Sequence, residues 1–377
     1  MPNLRIALIH NSSPLEGGSY TYESNISKYL ENSLPSNYEL VDFYKGGKNS
    51  VSKKLNTYRV ASPQIFLAML RQSALGFQIL KTLKLDKSRF EKFLLSNKFD
   101  FVYFLSPNPS ALAIFNIPML NTVWDLGHRH FPEFDEFSFD GRFQKREYFY
   151  NNVLNRSAHV IVDGEKTKSE LISFYGVQAS RITPLGLFPH LGPHKFDSSC
   201  SQEEYVFYLA QFWNHKNHET LISAFARILP EHPGLKLYFS GSDKGNLIRI
   251  KTIVDECGLT NSVKFLGFVS TEDVSRLYSH ARFVAFPSML GYTNLPPLES
   301  LLLGTPVLVS DVHSYDFEIP KEYFAKVPSL DVEKWAEAMR HLMSRPKIIF
   351  NPDDLPNFMP DAKKVHEIFK PVDRKST

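Results

Sequence analysis

The feature that most constrains the fold is the segment 282–310, RFVAFPSMLGYTNLPPLESLLLGTPVLVS. It begins with a short apolar run of β-forming residues and continues through 287–294, whose Pro, Ser, Gly and Asn residues predict a loop. Pro296 and Pro297 fit only the first turn of a helix, where their missing N–H groups cost nothing. Gly304 supplies the helix stop, and the apolar run after it is typical of a buried parallel strand. The segment therefore predicts strand, loop, helix and strand in an α/β sheet.

The GYTN loop, residues 291–294, is then expected beside a helix N-terminus at the carboxyl end of a parallel strand. Backbone N–H groups and the helix dipole favour an anion there, most often a phosphate, and open α/β sheets bind ligands at this edge. Glu299 is expected in the first turn of the same helix. Its carboxylate would repel a phosphate, which favours a neutral diol such as a ribose as its target. The alternative is that Glu299 only complements the helix dipole, and spacing alone favours neither.

The segment LPPLESLLLGTPVLVSD, residues 295–311, resembles the nucleotide-sugar motif of the retaining glycosyltransferases of family 4, group 1 type, which have the two-domain glycosyltransferase-B fold. That family usually carries two glutamates eight positions apart. Glu299 matches the second, which the resemblance assigns to the ribose hydroxyls, and the first falls on Gly291. GYTN resembles a mannosyltransferase-like branch with Gly-x-Thr-Asn here. The resemblance implies that the donor sugar and diphosphate meet Gly291, Tyr292, Thr293, Asn294 and Leu295, with Asn294 also counted as catalytic.

The length of 377 residues is too great for one ordinary hydrophobic core, so we expect two domains. The predicted fold class is α/β, with two doubly wound Rossmann-like domains facing across a cleft. The predicted boundaries are an N-terminal acceptor-side domain (1–187), a linker (188–204), a C-terminal nucleotide-sugar domain (205–355) and a segment crossing back to the first domain (356–377).

Cysteine usage and the chain ends favour a cytoplasmic protein. Cys200 and Cys257 form neither a disulfide framework nor a metal-ligand spacing. The N-terminus enters a strand without a signal-peptide pattern, and no run of 18 apolar residues is present.

The net charge of +3 hides a basic segment, because residues 45–92 contain eleven Lys and Arg residues against Asp86 and Glu91. Such local charge predicts an anionic partner. Within it, residues 63–83 are predicted to be helical, and such a basic amphipathic segment can lie on an anionic membrane surface. The alternative is that its apolar face packs on the first sheet and its lysines are solvated. We expect the apolar face to pack inward and the lysines to meet the inner face of the membrane, since enzymes of the resembled kind often elongate lipid-linked acceptors.

A dense ionisable cluster, WDLGHRHFPEF (124–134), directly follows a predicted strand. Strand ends gather site residues, so the cluster favours a functional over a structural role. The branch with Gly-x-Thr-Asn carries a similar segment, and many relatives have a sugar-contacting histidine where this chain has a tryptophan. The resemblance passes the catalytic, sugar-facing roles to Asp125 and His128.

The loop that opens the first helix contains Gly17, Gly18 and Ser19, which could approach an acceptor group closely. A plain strand-to-helix turn is at least as good an interpretation. By resemblance this loop lies across the cleft from the donor, so we assign these three residues and Arg129 to the acceptor side.

Lys216 lies where the first strand of the second domain meets a helix, at the expected position of a diphosphate. A merely solvated lysine is a poor alternative, because a cation opposes the dipole at a helix N-terminus. By resemblance Lys216 neutralises the donor phosphates, whereas Gln211 replaces the arginine usual after the strand. The Gly267–Val269 turn, which includes Phe268, is expected near the nucleotide base.

No Asp-x-Asp, His-Glu-x-x-His or Cys-x-x-Cys pattern is present, so we expect no catalytic metal and no cofactor. DNA-binding motifs are also absent, and no nucleic-acid partner is expected. The resemblance implies a retaining hexosyltransferase, here metal-independent, that uses a nucleotide diphosphate sugar and a growing, lipid-linked glycan. Mannose is the first donor sugar to consider, then rhamnose or glucose. A nucleotide-sugar epimerase of the same fold and a non-catalytic nucleotide-sugar-binding relative are the alternatives.

Overall fold

The structure, a computed structural model, describes residues 4–13, 16–45, 57–58, 62–187, 189, 204–315, 318–345, 364–365 and 368–369. The chain divides into two compact units. The first consists of Met1–His128, Asp140–Phe188 and Met359–Thr377, and the second of Arg129–Phe139 and Pro189–Phe358.

The first unit is built on a seven-stranded sheet whose strand pairs are all parallel. Its strands are β1 (Leu4–His10), β2 (Tyr38–Lys45), β3 (Thr57–Tyr58), β4 (Phe101–Phe104), β5 (Met119–Val123), β6 (His159–Val162) and β7 (Ile182–Pro184). The spatial order is β3-β2-β1-β4-β5-β6-β7. Strands β4, β5 and β6 are buried at every position, as their continuous apolar runs predict for a parallel sheet.

Eight helices occur in the described first half of the chain. They are α1 (Gly18–Ser33), α2 (Ser62–Arg71), α3 (Ala74–Thr82), α4 (Arg89–Ser96), α5 (Gly127–His130), α6 (Asp135–Ser138), α7 (Arg142–Val153) and α8 (Glu165–Tyr175). Helix α8 ends at Gly176, which adopts the left-handed conformation with φ 63° and stops the helix.

Residues 63–83 are helical, as predicted, but the chain forms two helices there, α2 and α3, with a break at Ser73. Ser73 is extended, and its hydroxyl accepts a hydrogen bond from the Gly76 N–H at 3.0 Å, which caps α3. A Cβ atom on Gly76 would lie 2.1 Å from the Leu70 carbonyl oxygen, so the tight turn requires glycine. Apolar spacing continues across the turn, and periodicity alone therefore hides the break.

The expectation that the apolar face of residues 63–83 packs inward is wrong for most of the described side chains in that segment. Ala68 and Leu80 are buried, whereas five large apolar side chains of the segment are exposed. These five are Met69, Leu70, Leu75, Ile79 and Leu83.

The second unit contains a six-stranded, all-parallel sheet. Its strands are β8 (Tyr205–Leu209), β9 (Lys236–Ser240), β10 (Val263–Gly267), β11 (Phe283–Phe286), β12 (Val307–Ser310) and β13 (Phe324–Val327). Its helices are α9 (His218–Ile228), α10 (Leu247–Glu256), α11 (Thr271–His280), α12 (Leu295–Leu302) and α13 (Val332–Met343). The spatial order β10-β9-β8-β11-β12-β13 reverses direction between β8 and β11. The predicted strand, loop, helix and strand of 282–310 are thus β11, its loop, α12 and β12.

The division into units differs from the predicted boundaries in one respect. Residues 129–139, which the sequence places in the first domain, are grouped with the second unit. The ring of Phe369, in the C-terminal segment, lies 6.0 Å from the ring of Tyr38 in the first unit. Most of the predicted linker 188–204 lies outside the described residues.

Gly241 allows the carboxyl ends of β8 and β9 to approach closely. Its φ is 152°, and a Cβ atom there would lie 2.0 Å from the Ala210 carbonyl oxygen. We therefore expect Gly241→Ala to lower the free energy of unfolding by about 2–4 kcal/mol, measured by chemical denaturation. Gly234→Ala, where a Cβ meets no atom within 4 Å, is the matched control and should change little. Equal stability of the two variants would contradict this account of the strand ends.

Candidate functional site

The loops that leave β8 and β11 meet where the strand order of the second sheet reverses. The Met289 N–H donates to the His215 carbonyl at 2.8 Å, and the Asn217 side-chain amide donates to the Pro287 carbonyl at 3.2 Å. Asn217 is left-handed, with φ 54° and ψ 42°, and turns the chain sharply into α9. Open α/β sheets bind ligands at such reversals, which makes this edge the candidate site.

Lys216 and Asn294, both predicted from the sequence, meet at this edge. The Lys216 Nζ atom lies 3.3 Å from Ser288 Oγ and 3.3 Å from Asn294 Oδ1. It also lies 5.2 Å from the centre of the Phe286 ring, within the range of a cation–π interaction. One ammonium group is therefore oriented by residues that follow β8 and β11.

Asn294 is the N-cap residue of α12, yet its side chain makes no capping hydrogen bond. The usual donors of such a bond are the N–H groups of the second and third helical residues, and here these residues are Pro296 and Pro297, which have no N–H. The Asn294 amide nitrogen instead donates to the Gly291 carbonyl at 2.8 Å. Because the two prolines have no N–H, the helix N-terminus has fewer donors for an anion than the sequence analysis expected. An anion at this edge would therefore be attracted more by the charge of Lys216 than by the helix terminus.

The position of the Asn294 amide also restricts which residue can occupy position 291. Its φ is 88°, and a Cβ atom there would lie 2.8 Å from Asn294 Nδ2. A side chain at position 291 is therefore incompatible with the observed place of the Asn294 amide.

Glu299 is the fifth residue of α12, beyond the first turn, where no acidic residue occurs. The expected first-turn position is therefore wrong, and the dipole interpretation of Glu299 loses its basis. Burial raises the pKa of Glu299 to about 7, although the Tyr278 hydroxyl, which donates to its carboxylate at 3.4 Å, lowers it. Two hydroxyl donors, such as those of a diol, would further stabilise the carboxylate form.

The predicted base-side residues Gly267 and Phe268, and Gln211, which was predicted on the diphosphate side, lie at neighbouring strand ends. The Gly267 carbonyl already accepts hydrogen bonds from Ser240 Oγ and the Gly241 N–H, both at 2.9 Å. The Gln211 side chain accepts a hydrogen bond from Trp213 Nε1 at 3.0 Å. Phe268 is 58% exposed and presents a ring at this edge, which is the group there most suited to contact a planar base.

Glu136, which the sequence did not single out, anchors residues 129–139 on the loop that carries Lys216. Its Oε1 atom accepts from the His215 N–H at 3.0 Å and lies 2.9 Å from His215 Nδ1. Its Oε2 atom accepts from the Asn214 amide at 3.1 Å. Glu136 lies two residues beyond the predicted cluster 124–134, and its partners are 78 and 79 residues away in sequence, so no local pattern reveals the contact.

His130 and Tyr292 provide a second contact of this kind, because the Tyr292 hydroxyl lies 3.3 Å from His130 Nε2. The predicted cluster is thus divided, since Arg129 and His130 belong to the second unit and Asp125 and His128 to the first.

His128 is fully buried in the first unit, so the structure does not place it where a sugar could touch it. Its Nε2 atom lies 2.8 Å from Glu147 Oε1 and 3.3 Å from the Tyr175 hydroxyl. Burial lowers the pKa of His128 although Glu147 opposes that shift, so the ring is neutral and structural. Asp125 is half-buried, accepts from the Gly127 N–H at 2.8 Å and lies 3.5 Å from Arg146 Nη1.

The predicted acceptor-side residues Gly17, Gly18 and Ser19 lie at the N-terminus of α1, beside the reversal of strand order between β1 and β4. No atom lies within 4 Å of a Cβ position on either glycine, so the backbone there is open to a ligand. The preceding loop is held by Glu23, a fully buried carboxylate that accepts from the Asn11 and Ser12 N–H groups.

Two negative findings apply only to the described part of the chain. No group of three or more His, Cys, Asp or Glu side chains there is arranged to hold a metal ion. None of its helices is long and apolar enough to cross a bilayer.

Residues 194–353, which contain Lys216, Asn294 and Glu299, match the family described as "Glycosyl transferases group 1". The O-antigen chain mannosyltransferase RfbU of Salmonella typhimurium is 23% identical over 240 residues, which are 62% of this chain and 64% of that protein. The chain therefore spans less than two thirds of the length of this relative.

Two solved structures resemble the whole chain. Sucrose-phosphate synthase from Thermosynechococcus elongatus has a TM-score of 0.68 at 18% identity, with 99% of this chain and 97% of that chain covered. HepE from Anabaena, in complex with UDP and glucose, has a TM-score of 0.67 at 15% identity, with coverages of 99% and 100%. These likenesses confirm the predicted two-domain glycosyltransferase-B fold.

The anchoring role of Glu136 predicts a pH-dependent stability. Burial alone would raise the pKa of Glu136, but the hydrogen bonds from His215 outweigh it and leave the pKa below its usual value. The stabilisation is therefore present above pH 4.5 and is lost as the pH falls through the lowered pKa. We expect Glu136→Ala to cost about 2 kcal/mol of unfolding free energy at pH 7, and less in acid.

Denaturant titrations at a series of pH values measure this difference. Glu133→Ala removes an exposed carboxyl group three residues away and is the matched control. A Glu136→Ala cost that is unchanged from neutral to acid pH would show that its charge does not anchor the segment.

Proposed function

We propose that this protein is a retaining hexosyltransferase, which moves a hexose from a nucleotide diphosphate sugar to a growing glycan. The observation that carries the proposal is the Lys216 ammonium group, held by Ser288 and Asn294 at the strand-order reversal. A fixed cation at such an edge suits a diphosphate. It lies within the residues that match the glycosyltransferase family.

Each site residue has a role in this proposal. Lys216 neutralises the diphosphate, and Glu299 accepts hydrogen bonds from the two ribose hydroxyls. The Leu295 N–H, which is not removed by proline, adds a donor at the helix terminus. Thr293 and Asn294 face the sugar, and the exposed Phe268 ring packs against the base.

The reaction itself needs few protein groups. The bond from the sugar carbon to the acceptor oxygen forms on the face from which the phosphate oxygen departs, so the configuration is retained. The departing phosphate oxygen takes the proton of the acceptor hydroxyl, and no side chain is assigned as a general base. Charge that develops on the diphosphate is met by Lys216, a preorganised group that takes the place of a metal ion.

Mannose from GDP-mannose is the first donor to test, followed by rhamnose and glucose donors. The Gly-x-Thr-Asn loop and the mannosyltransferase name of the Salmonella relative support this order. The acceptor is proposed to be a lipid-linked oligosaccharide, and the site of action the cytoplasmic face of a membrane.

The donor site predicts a selective loss of activity in two variants. With a panel of nucleotide sugars, we expect the wild type to release nucleoside diphosphate from one donor when a lipid-linked acceptor is present. Lys216→Ala should lower kcat about 10²–10³-fold, because it removes charge stabilisation of the leaving group. Glu299→Ala should chiefly raise the KM for the donor, because a ribose contact is the same in the ground and transition states.

Lys236→Ala and Glu333→Ala are matched controls, since their side chains bind Asn261 and Arg227 away from the site. Release of nucleoside diphosphate that survives Lys216→Ala unchanged would contradict the proposed function.

The basic segment supports a membrane contact. The described chain exposes thirteen large apolar side chains, and seven of them lie between residues 69 and 93. They are Met69, Leu70, Leu75, Ile79, Leu83, Leu85 and Phe93.

The exposed charged side chains among residues 69–98 are all positive. They are Lys81, Lys84, Arg89, Lys92 and Lys98, with Asp86 half-buried. Glu91 is fully buried and accepts hydrogen bonds from backbone N–H groups, so it does not offset them. Exposed apolar side chains with basic neighbours suit the interface of an anionic bilayer, where each basic residue contributes about 1 kcal/mol.

Vesicle sedimentation tests the membrane contact. We expect the protein to bind vesicles of equal parts phosphatidylglycerol and phosphatidylcholine, and to bind pure phosphatidylcholine vesicles less. The double variant Leu75→Ser/Leu83→Ser should lose binding, whereas Ile248→Ser, a change at a 79% exposed residue of the second unit, should not. Equal binding by both variants would place the contact elsewhere.

A further inference from the structure

A chain of polar groups extends from Lys216 to the end of β12. Asn294 Oδ1 accepts from Lys216 at 3.3 Å, and Asn294 Nδ2 lies 3.0 Å from His313 Nε2. His313 Nδ1 in turn lies 3.1 Å from the Ser310 carbonyl oxygen. His313 is only 1% exposed, and neither the sequence patterns nor the proposed donor contacts give it a role.

The hydrogen-bond partners fix the direction of this chain. The Asn294 Nδ2 group donates to the Gly291 carbonyl, and the Lys216 ammonium group has only donors, so the amide oxygen must face Lys216. The amide nitrogen then donates to His313 Nε2, which must be unprotonated. The proton of the ring lies on Nδ1, where the Ser310 hydroxyl oxygen at 3.0 Å and the Ser310 carbonyl oxygen at 3.1 Å can accept it.

Burial keeps the His313 ring in this neutral form. Removal from water lowers the pKa of His313 to about 3, against the opposing effect of the Ser310 carbonyl. Lys216 and Lys326, the charged groups that act on the ring, lower it further. The acceptor at Nε2 is therefore present throughout the neutral pH range.

We propose that His313 is a positioning residue, which fixes the Asn294 amide so that its oxygen holds the Lys216 ammonium group toward the donor diphosphate. The inference rests on the proposed function, because the diphosphate is its target. A free lysine side chain loses rotamer entropy when a ligand fixes it. Two fixed acceptors, Asn294 Oδ1 and Ser288 Oγ, remove part of that loss before the ligand arrives.

Ser288 shows the same preorganisation. Its hydroxyl donates to the Leu290 carbonyl at 2.9 Å, which leaves its lone pairs for Lys216. Ser310 Oγ donates to the Ser288 carbonyl, so β12 supports both acceptors of the ammonium group. A substitution of His313 removes the support of Asn294 without removing a group that contacts the ligand in the proposed site.

The test compares ligands with and without phosphates in three variants. His313→Leu removes the acceptor, His313→Asn has an amide too short to reach Asn294, and His313→Gln places an amide oxygen near the position of Nε2. Calorimetric titrations with GDP, UDP, guanosine and uridine give the dissociation constants, and thermal melts report folding.

We expect His313→Leu and His313→Asn to weaken binding of the diphosphate about tenfold, with the nucleoside bound as in the wild type. His313→Gln should restore most of the diphosphate affinity. If His313→Leu does not fold, His313→Asn decides the question.

Diphosphate affinity that is unchanged in His313→Asn, or a loss shared equally by the diphosphate and the nucleoside, would overturn the positioning role. A wild-type protein that binds none of the four ligands would instead contradict the proposed function. The two failures are therefore distinguishable.

Discussion

The structure of the site depends on one ammonium group, that of Lys216, between the oxygen atoms of Ser288 and Asn294. Strands β8 and β11 are parallel neighbours, but the chain continues from β8 to β9 on one side of the sheet and from β11 to β12 on the other. The loops that follow β8 and β11 therefore meet at one edge. Lys216 comes from one loop and its two acceptors from the other. The packing of the sheet thereby orients a positive charge.

The Asn294 amide also constrains the residue at position 291, where the resembled glycosyltransferases usually carry a glutamate. A Cβ atom at position 291 would lie 2.8 Å from Asn294 Nδ2, so any side chain there would require the Asn294 amide to move from its observed position. Pro296 and Pro297 deprive that amide of capping partners and leave it for Lys216. Gly291, Asn294 and the two prolines therefore form one structural unit, in which the Asn294 amide contacts Lys216 directly.

Short-range patterns predicted much of this fold and site. Apolar runs identify the buried strands, the two prolines place the start of α12, and the junction after β8 places Lys216. Properties set by distant contacts were not predictable. The burial of His128, the anchoring of Glu136 on residues 78 and 79 positions away, and the approach of His313 to Asn294 depend on tertiary packing. The exposed apolar side chains of α3 also escaped prediction, because periodicity identifies an apolar face but not what covers it.

The most direct test of the central claim is the dependence of affinity on phosphate number. Calorimetric titration of wild type and Lys216→Met with nucleoside diphosphate and the matching monophosphate measures the contribution of the ammonium group to each. The account predicts that the diphosphate binds more tightly than the monophosphate to the wild type, and that Lys216→Met abolishes most of this difference. Equal preference for the diphosphate in both proteins would contradict the assignment of Lys216 to the donor phosphates.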